Sequence, residues 1–142
     1  MTKARVLALD LGKRRIGLAI SDGLGLMAHG LKTLERTRIR EDLDRLANIA
    51  SERNVQMFLI GNPLHLGGEE SKGTHTARDF GRRLSAKTGI PVELWDERLT
   101  SVEANEILAE RGVNPERRKG AVDRVAAILL LERYLEVASM DS

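Results

Sequence analysis

The sequence has no cysteine, only 3% aromatic residues and just 3 prolines in 142 positions. Without cysteine there is no disulfide framework, no thiolate zinc site and no cysteine nucleophile. That usage fits a reducing compartment, and a cytoplasmic protein is expected. With so few aromatics the core must be mainly aliphatic, and RNA-recognition domains that stack bases on aromatic platforms are not expected. Long hydrophobic runs are missing too. The longest, Val125 to Leu131, is far short of the ~20 residues that cross a bilayer, and the apolar run near the N-terminus is interrupted by Asp10. No signal peptide, membrane partner or lipid anchor is expected.

What is present is ordinary for a globular chain: 42% hydrophobic, 31% charged, 13 glycines. Disordered and collagen-like classes are excluded. The length fits one domain, which would bury roughly 70% of the surface its unfolded chain exposes. We expect that domain over residues 1–138, followed by a short tail at 139–142. The net charge is only +2, but basic residues cluster at Lys13-Arg14-Arg15, Arg36-Arg38-Arg40, Arg82-Arg83-Lys87 and Arg117-Arg118-Lys119. Such clusters can neutralise phosphates, so a polyanionic partner stands beside the plainer reading of solvated faces and helix ends.

The hydropathy pattern predicts strands at residues 4–10, 16–21 and 28–34, joined by glycine-containing turns, hence an antiparallel meander. A helix follows, with Thr37 as its cap, Glu41 and Asp42 in its first turn, and Ile39, Leu43, Leu46, Ala47 and Ala50 at helical spacing. Asn54 can end it. A strand is predicted at 56–61. The stretch from Asn62 to Gly89 reads as a mobile loop, HLGGEESKGTHT, and then a helix carrying Ala77, Phe80 and Leu84, stopped by Gly89 and Pro91. A fifth strand covers 92–95. Thr100 and Glu103 form a capping box for a helix ending near Gly112. Val113 to Gly120 reads as a polar, basic connector, and the last helix runs from about 121 to 137. The strand–helix–strand passages favour parallel pairing in the second half, so the sheet should be mixed.

Three acids sit where a solvated face would not put them. Asp10 ends a fully apolar run. Glu97 follows the fifth strand, at the kind of strand end where open α/β sheets place ligands. Asp123 aligns with Ala127, Leu130 and Tyr134 on a packing stripe, where a carboxylate needs a partner, a proton or a metal. If the fold brings them together, three carboxylates suit hard divalent cations, and two such ions can drive phosphodiester hydrolysis without a nucleophilic side chain. Simpler readings stay open. Asp10 could end a strand beside Gly12, Glu97 could pair with Arg98, and Asp123 could cap the last helix or pair with Arg124. The histidines at 29, 65 and 75 have no metal-ligand spacing, and Thr100 and Ser101 are explained by capping. Gly12 and Gly17 could admit a phosphate between strands. DLG also suggests the phosphate loop of actin-like ATPases, but those need two lobes and the chain has room for one.

Taken in order and spacing, ALDLGKRRIGLAISD, IGNPLHLGG, WDERLTSVEA and VDRVAAILLLERYL resemble the YqgF family of the RNase H-like superfamily, known as pre-16S rRNA nucleases and earlier as Holliday-junction resolvases. The resemblance covers essentially the whole chain. It implies an α/β RNase H-like fold: a five-stranded mixed sheet, three antiparallel strands then parallel ones, with helices on both faces. It also implies a Mg²⁺- or Mn²⁺-dependent cytoplasmic nuclease that processes the 5′ end of 16S rRNA in ribosome biogenesis. Carried over by position, the catalytic and metal-binding acids are Asp10, Glu97 (with Asp96 beside it) and Asp123. Lys13, Arg14, Arg15, Arg98, Arg117, Arg118 and Lys119 flank them as candidate substrate-binding residues. A resolvase acting on branched DNA, normally as a dimer, and a non-catalytic nucleic-acid-binding module are the competing functions.

Overall fold

The computed structural model describes residues 4–63, 69–97 and 100–140. The elements run β1 (Arg5–Leu11), β2 (Arg15–Ser21), β3 (Ala28–Glu35), α1 (Ile39–Glu52), β4 (Val55–Asn62), α2 (Lys72–Thr88), β5 (Val92–Asp96), α3 (Thr100–Glu110) and α4 (Pro115–Met140). The sheet order is β3-β2-β1-β4-β5. β1 pairs antiparallel with β2 and β2 with β3, while β4 runs parallel to both β1 and β5. The meander and the mixed sheet are as the sequence predicts.

Strand alternation splits the core in two. Leu7, Leu9, Ile16, Leu18, Phe58 and Ile60 face α1 and α2. Val6, Ala8, Ala19 and Leu59 face α4, through Ala127, Leu130 and Leu131. β1, β2 and β4 therefore read as nearly continuous apolar runs, because both sheet faces are covered. Among the described residues no helix is long and apolar enough to cross a membrane.

Four local expectations are corrected. Thr37 does not cap α1: the N-cap is Arg38, with no side-chain bond, and Asp42 instead accepts bonds from Thr37 N and Oγ1 at 3.0 and 3.1 Å. Asp42 is thus fully buried and not a surface group of the first turn. Within HLGGEESKGTHT the part from Lys72 on is helix and not loop. Residues 64–68 lie outside the described residues, but Ser71 caps α2 reciprocally with Thr74, and the helix begins at Lys72. The proposed basic connector is largely helix, since α4 starts at Pro115. Asn114 Oδ1 accepts the Arg117 N–H at 2.9 Å, so Asn-Pro is a cap followed by proline in the first helical position, where its missing N–H is not needed. α4 also extends to Met140, beyond the expected end. The side chain of Thr100 lies outside the described residues, while the carboxylate of Glu103, the other half of the expected capping box, pairs with Arg133.

Candidate active site

The geometry starts at β1. Leu7 and Leu9 point to the α1/α2 face, so Asp10 points to the α4 face, and its pair partner across β2 is Gly17. Gly17 is where α4 meets the sheet. A Cβ placed there would stand well under 3.0 Å from the backbone carbonyl of Asp123. Glycine at this position lets the helix backbone descend onto β2 and delivers Asp123 beside Asp10. The space that glycine leaves is filled by α4, so it is not the phosphate gap expected from the sequence. β4 contributes a second glycine on the same face: a Cβ on Gly61 would overlap the Glu97 carboxylate. Glu97 is held at the end of β5 by its N–H, which donates to Asn62 O at 3.2 Å. Gly12 completes the surround, its missing Cβ lying 3.2 and 3.3 Å from the Asp123 carboxylate oxygens.

The three acids therefore converge, with Asp10 in the middle. It is 6% exposed. Burial, then the hydrogen bond and charge of Glu97, push its carboxyl up to about 8, against a smaller opposing effect of its bond with Asp123. Burial, then the charge of Asp10, raises Asp123 to about 6, while Arg15 pulls it down. Glu97 is raised by burial and by the charges of Asp123 and Asp96, partly offset by its bond with Asp10. Close, partly desolvated carboxylates cannot all ionise, so they share protons. The simpler readings of Asp123 no longer hold: it lies well inside α4, so it is not a cap, and Arg124 turns toward β3.

Among the described residues no group of three His, Asp or Glu is spaced as a ready-made metal site. The donor chemistry nevertheless fits a hard divalent cation: an all-oxygen set, crowded negative charge, and protons that a cation would displace. Asp10, Glu97 and Asp123 are the groups that would hold it.

The turn carrying the basic triplet is braced from the opposite side of the sheet. Arg36 Nη1 donates to Gly12 O at 2.9 Å and Arg36 N donates to Arg14 O at 2.7 Å. Its guanidinium lies over the Phe80 ring and reaches Asp42, with Nε 3.6 Å from Oδ2. Burial pushes the Asp42 carboxyl up, but bonds from Thr37 and Arg45 outweigh it and hold the group below the usual range. Sequence reading missed this strut, since Asp42 looked like a first-turn helix acid. Of the candidate substrate-binding residues, Lys13 and Arg14 are exposed on the turn. Arg15 lies between Glu35, at 3.3 Å, and Asp123. Arg117 is exposed on the first turns of α4. The side chains of Arg118 and Lys119, and all of Arg98, lie outside the described residues.

Known proteins share this arrangement of elements. In solved structures, RuvC of T. thermophilus bound to a Holliday junction substrate superposes with a TM-score of 0.62 at 15% identity, over 99% of this chain and 98% of that one. The Fowlpox virus resolvase in complex with Holliday junction DNA gives 0.58 at 10% identity, covering 94% and 98%. At such identities these matches establish the fold, which is RNase H-like. Among curated proteins, one from Koribacter versatilis is 45% identical over 96% of this chain and 90% of its own length. Another, from Syntrophus aciditrophicus, is 45% identical over 96% and 91%. Both carry the name "Putative pre-16S rRNA nuclease". The profile of the family described as RuvX, Holliday junction resolvase, matches residues 4–137. With that match over nearly its full length, and relatives this similar, the chain belongs to the RuvX (YqgF) family.

Proposed function

We propose that this protein is a divalent-cation-dependent nuclease that hydrolyses phosphodiester bonds at the 5′ end of pre-16S rRNA. The observation that supports it best is the convergence of Asp10, Glu97 and Asp123 on one sheet face, in a cradle opened by Gly12, Gly17 and Gly61. A half-buried cluster of acids that repel one another has no stabilising purpose of its own, which argues against a non-catalytic binding module. The RNA end is favoured over branched DNA by the names of the 45% identical relatives.

Asp10, Glu97 and Asp123 would hold Mg²⁺ or Mn²⁺, singly or as a pair. Such ions, when bound, supply an activated water and neutralise charge on the phosphoryl oxygens. The chain's own residues do the rest. Asp10 and Glu97 sit on strand ends and Asp123 on a helix packed against β2, so their relative positions are fixed before substrate arrives. Lys13 and Arg14, on a turn tied down by Arg36, present positive charge beside the acids, where a scissile phosphate would lie. Arg15 moderates the charge of Asp123.

The decisive experiment incubates the protein with pre-16S rRNA 5′ ends and, separately, a four-way DNA junction, with Mg²⁺, Mn²⁺ or excess EDTA. Cation-dependent cutting of the RNA is expected. Exclusive cutting of the junction would replace the RNA reading with the resolvase reading. Cutting in EDTA, or by Asp10→Asn, would remove both.

A further inference from the structure

Arg124 follows Asp123 on α4, and its side chain runs to the opposite flank of the site, onto β3. Its Nη2 lies 3.5 Å from Gly30 O. A Cβ on Gly30 would stand 2.6 Å from Arg124 Nε and 2.9 Å from Ile128 Cδ1. The glycine is therefore a seat: it lets the guanidinium lie against the strand backbone while the residue stays exposed. Among the described residues no carboxylate pairs with Arg124, and the contact to Gly30 O is its only hydrogen bond. Most of its five N–H donors face solvent unused.

An arginine held in place with free donors differs from a solvated surface arginine. Its side-chain entropy is already partly lost to packing, and its planar fork matches two oxygens of a phosphate. Its place on the sheet sets which phosphate it can reach. Gly30 pairs with Ala19 of β2, which faces α4 on the same side as Gly17 and Asp10. β3 lies two strands from β1, and Gly30 aligns through Ala19 with Ala8, two residues short of Asp10, so the guanidinium is roughly 12 Å from Asp10 along the sheet face. That is too far to touch a group held by the three acids, but close enough for the next stretch of the same backbone.

We infer that Arg124, seated on Gly30, binds a backbone phosphate of the substrate strand adjacent to the one at the carboxylates. The inference rests on the nuclease reading above. It makes the β3 flank, together with the Lys13–Arg15 turn, part of the track along which the strand lies.

The test is binding without cleavage. Fluorescein-labelled single-stranded RNA is titrated with intact protein in EDTA, followed by anisotropy, between about 50 and 200 mM salt. Arg124→Gln should weaken binding several-fold and lower the slope of log Kd against log salt by about 0.7, the loss of one contact to a single strand. Arg124→Lys should restore the slope but only part of the affinity. Gly30→Ala removes no charge, yet it should weaken binding because its Cβ displaces the guanidinium. Should Gly30→Ala fail to fold, the two Arg124 variants decide alone, since that side chain is exposed. Arg124→Gln with unchanged affinity and slope, beside a parent that binds, overturns this inference and leaves the nuclease reading intact. A parent that binds neither this RNA nor a labelled four-way DNA junction titrated in parallel overturns both.

Discussion

Replacing Asp10 by asparagine should stabilise the metal-free protein while abolishing cleavage. The unfolded chain carries Asp10 with an ordinary carboxyl near 3.8; the folded protein holds its proton up to about 8. Between those values the folded state binds the extra proton, so stability falls as pH rises. By pH 7 the difference spans about three pH units, each worth about 1.36 kcal/mol, which sets a ceiling of about 4 kcal/mol. Glu97 and Asp123 draw on the same protons, so removing one charge should recover about half of this, about 2 kcal/mol. In a chain of this length that raises Tm by roughly 7 °C. Asparagine suits the site, because its amide can donate to both neighbouring carboxylates. Thermal melts from pH 5 to 8 in EDTA should show parent stability declining with pH and a flatter, higher curve for the variant. Adding Mn²⁺ should raise the parent's Tm by binding only the folded state, and should move the variant little. A variant that melts below the parent at pH 7.5 in EDTA, with the same pH slope, would refute the idea that the three acids are held against mutual repulsion.

The glycines give the sharpest contrast. Gly17→Ala confronts helix backbone, so it should cost at least about 2–3 kcal/mol in denaturant melts and lose activity. Gly61→Ala confronts the Glu97 side chain, its carboxylate most closely, and no backbone atom among those nearest, so it should fold and lose metal-induced stabilisation and cleavage. Asp123→Asn should melt at or above the parent temperature in EDTA yet gain nothing from Mn²⁺, whereas loss of a mere helix cap would destabilise by about 1–2 kcal/mol. Asp42→Ala strands the Arg36 and Arg45 guanidinium groups and should cost about 3 kcal/mol by urea denaturation. The folded-state carboxyl of Asp42 is lowered, so its contribution is present above the ordinary value of 3.8 and is lost as pH falls below it. Reversing charge at Arg14 and Arg15 should weaken binding to unrelated nucleic-acid sequences alike, and most strongly at low salt.

Much of the site could be read from the sequence because burial of a carboxylate is visible there. Asp10 closes an apolar strand, and Asp123 interrupts the stripe that also holds Ala127 and Leu130, both now buried. Strand direction was legible through turn length, since short glycine turns favour antiparallel neighbours and intervening helices parallel ones, but that β4 lies beside β1 and not β3 was not. The start of α4 was missed because the polar run ERRKG looks like a loop when judged by hydropathy. Its first turns need no apolar face, only the cap that Asn114 supplies and the proline after it. The α2 cap was missed because Thr74 takes the place normally held by a glutamate or glutamine. Asp42 and Gly61 escaped for a different reason. The partner of one, Arg36, is close in sequence but reached around the end of a strand; the partner of the other, Glu97, is brought in by sheet pairing. Neither distance is encoded in local spacing.

The order in which the acids occur along the chain has a consequence for synthesis. Asp10 is made early, Glu97 much later, and Asp123 only with α4, the last element, which covers the sheet face that carries the other two. Until α4 docks on Gly17 that face has no apolar cover and the third carboxylate has not arrived. Assembly of the centre is thus a non-local event that must wait for long-range closure, and it should be among the slower steps of folding. A growing polypeptide that has emerged only as far as β5 holds two of the acids and none of the helix that positions the third. If the three acids act as proposed, a nascent chain should be inert toward nucleic acid, and competence should arrive only when α4 has emerged and packed.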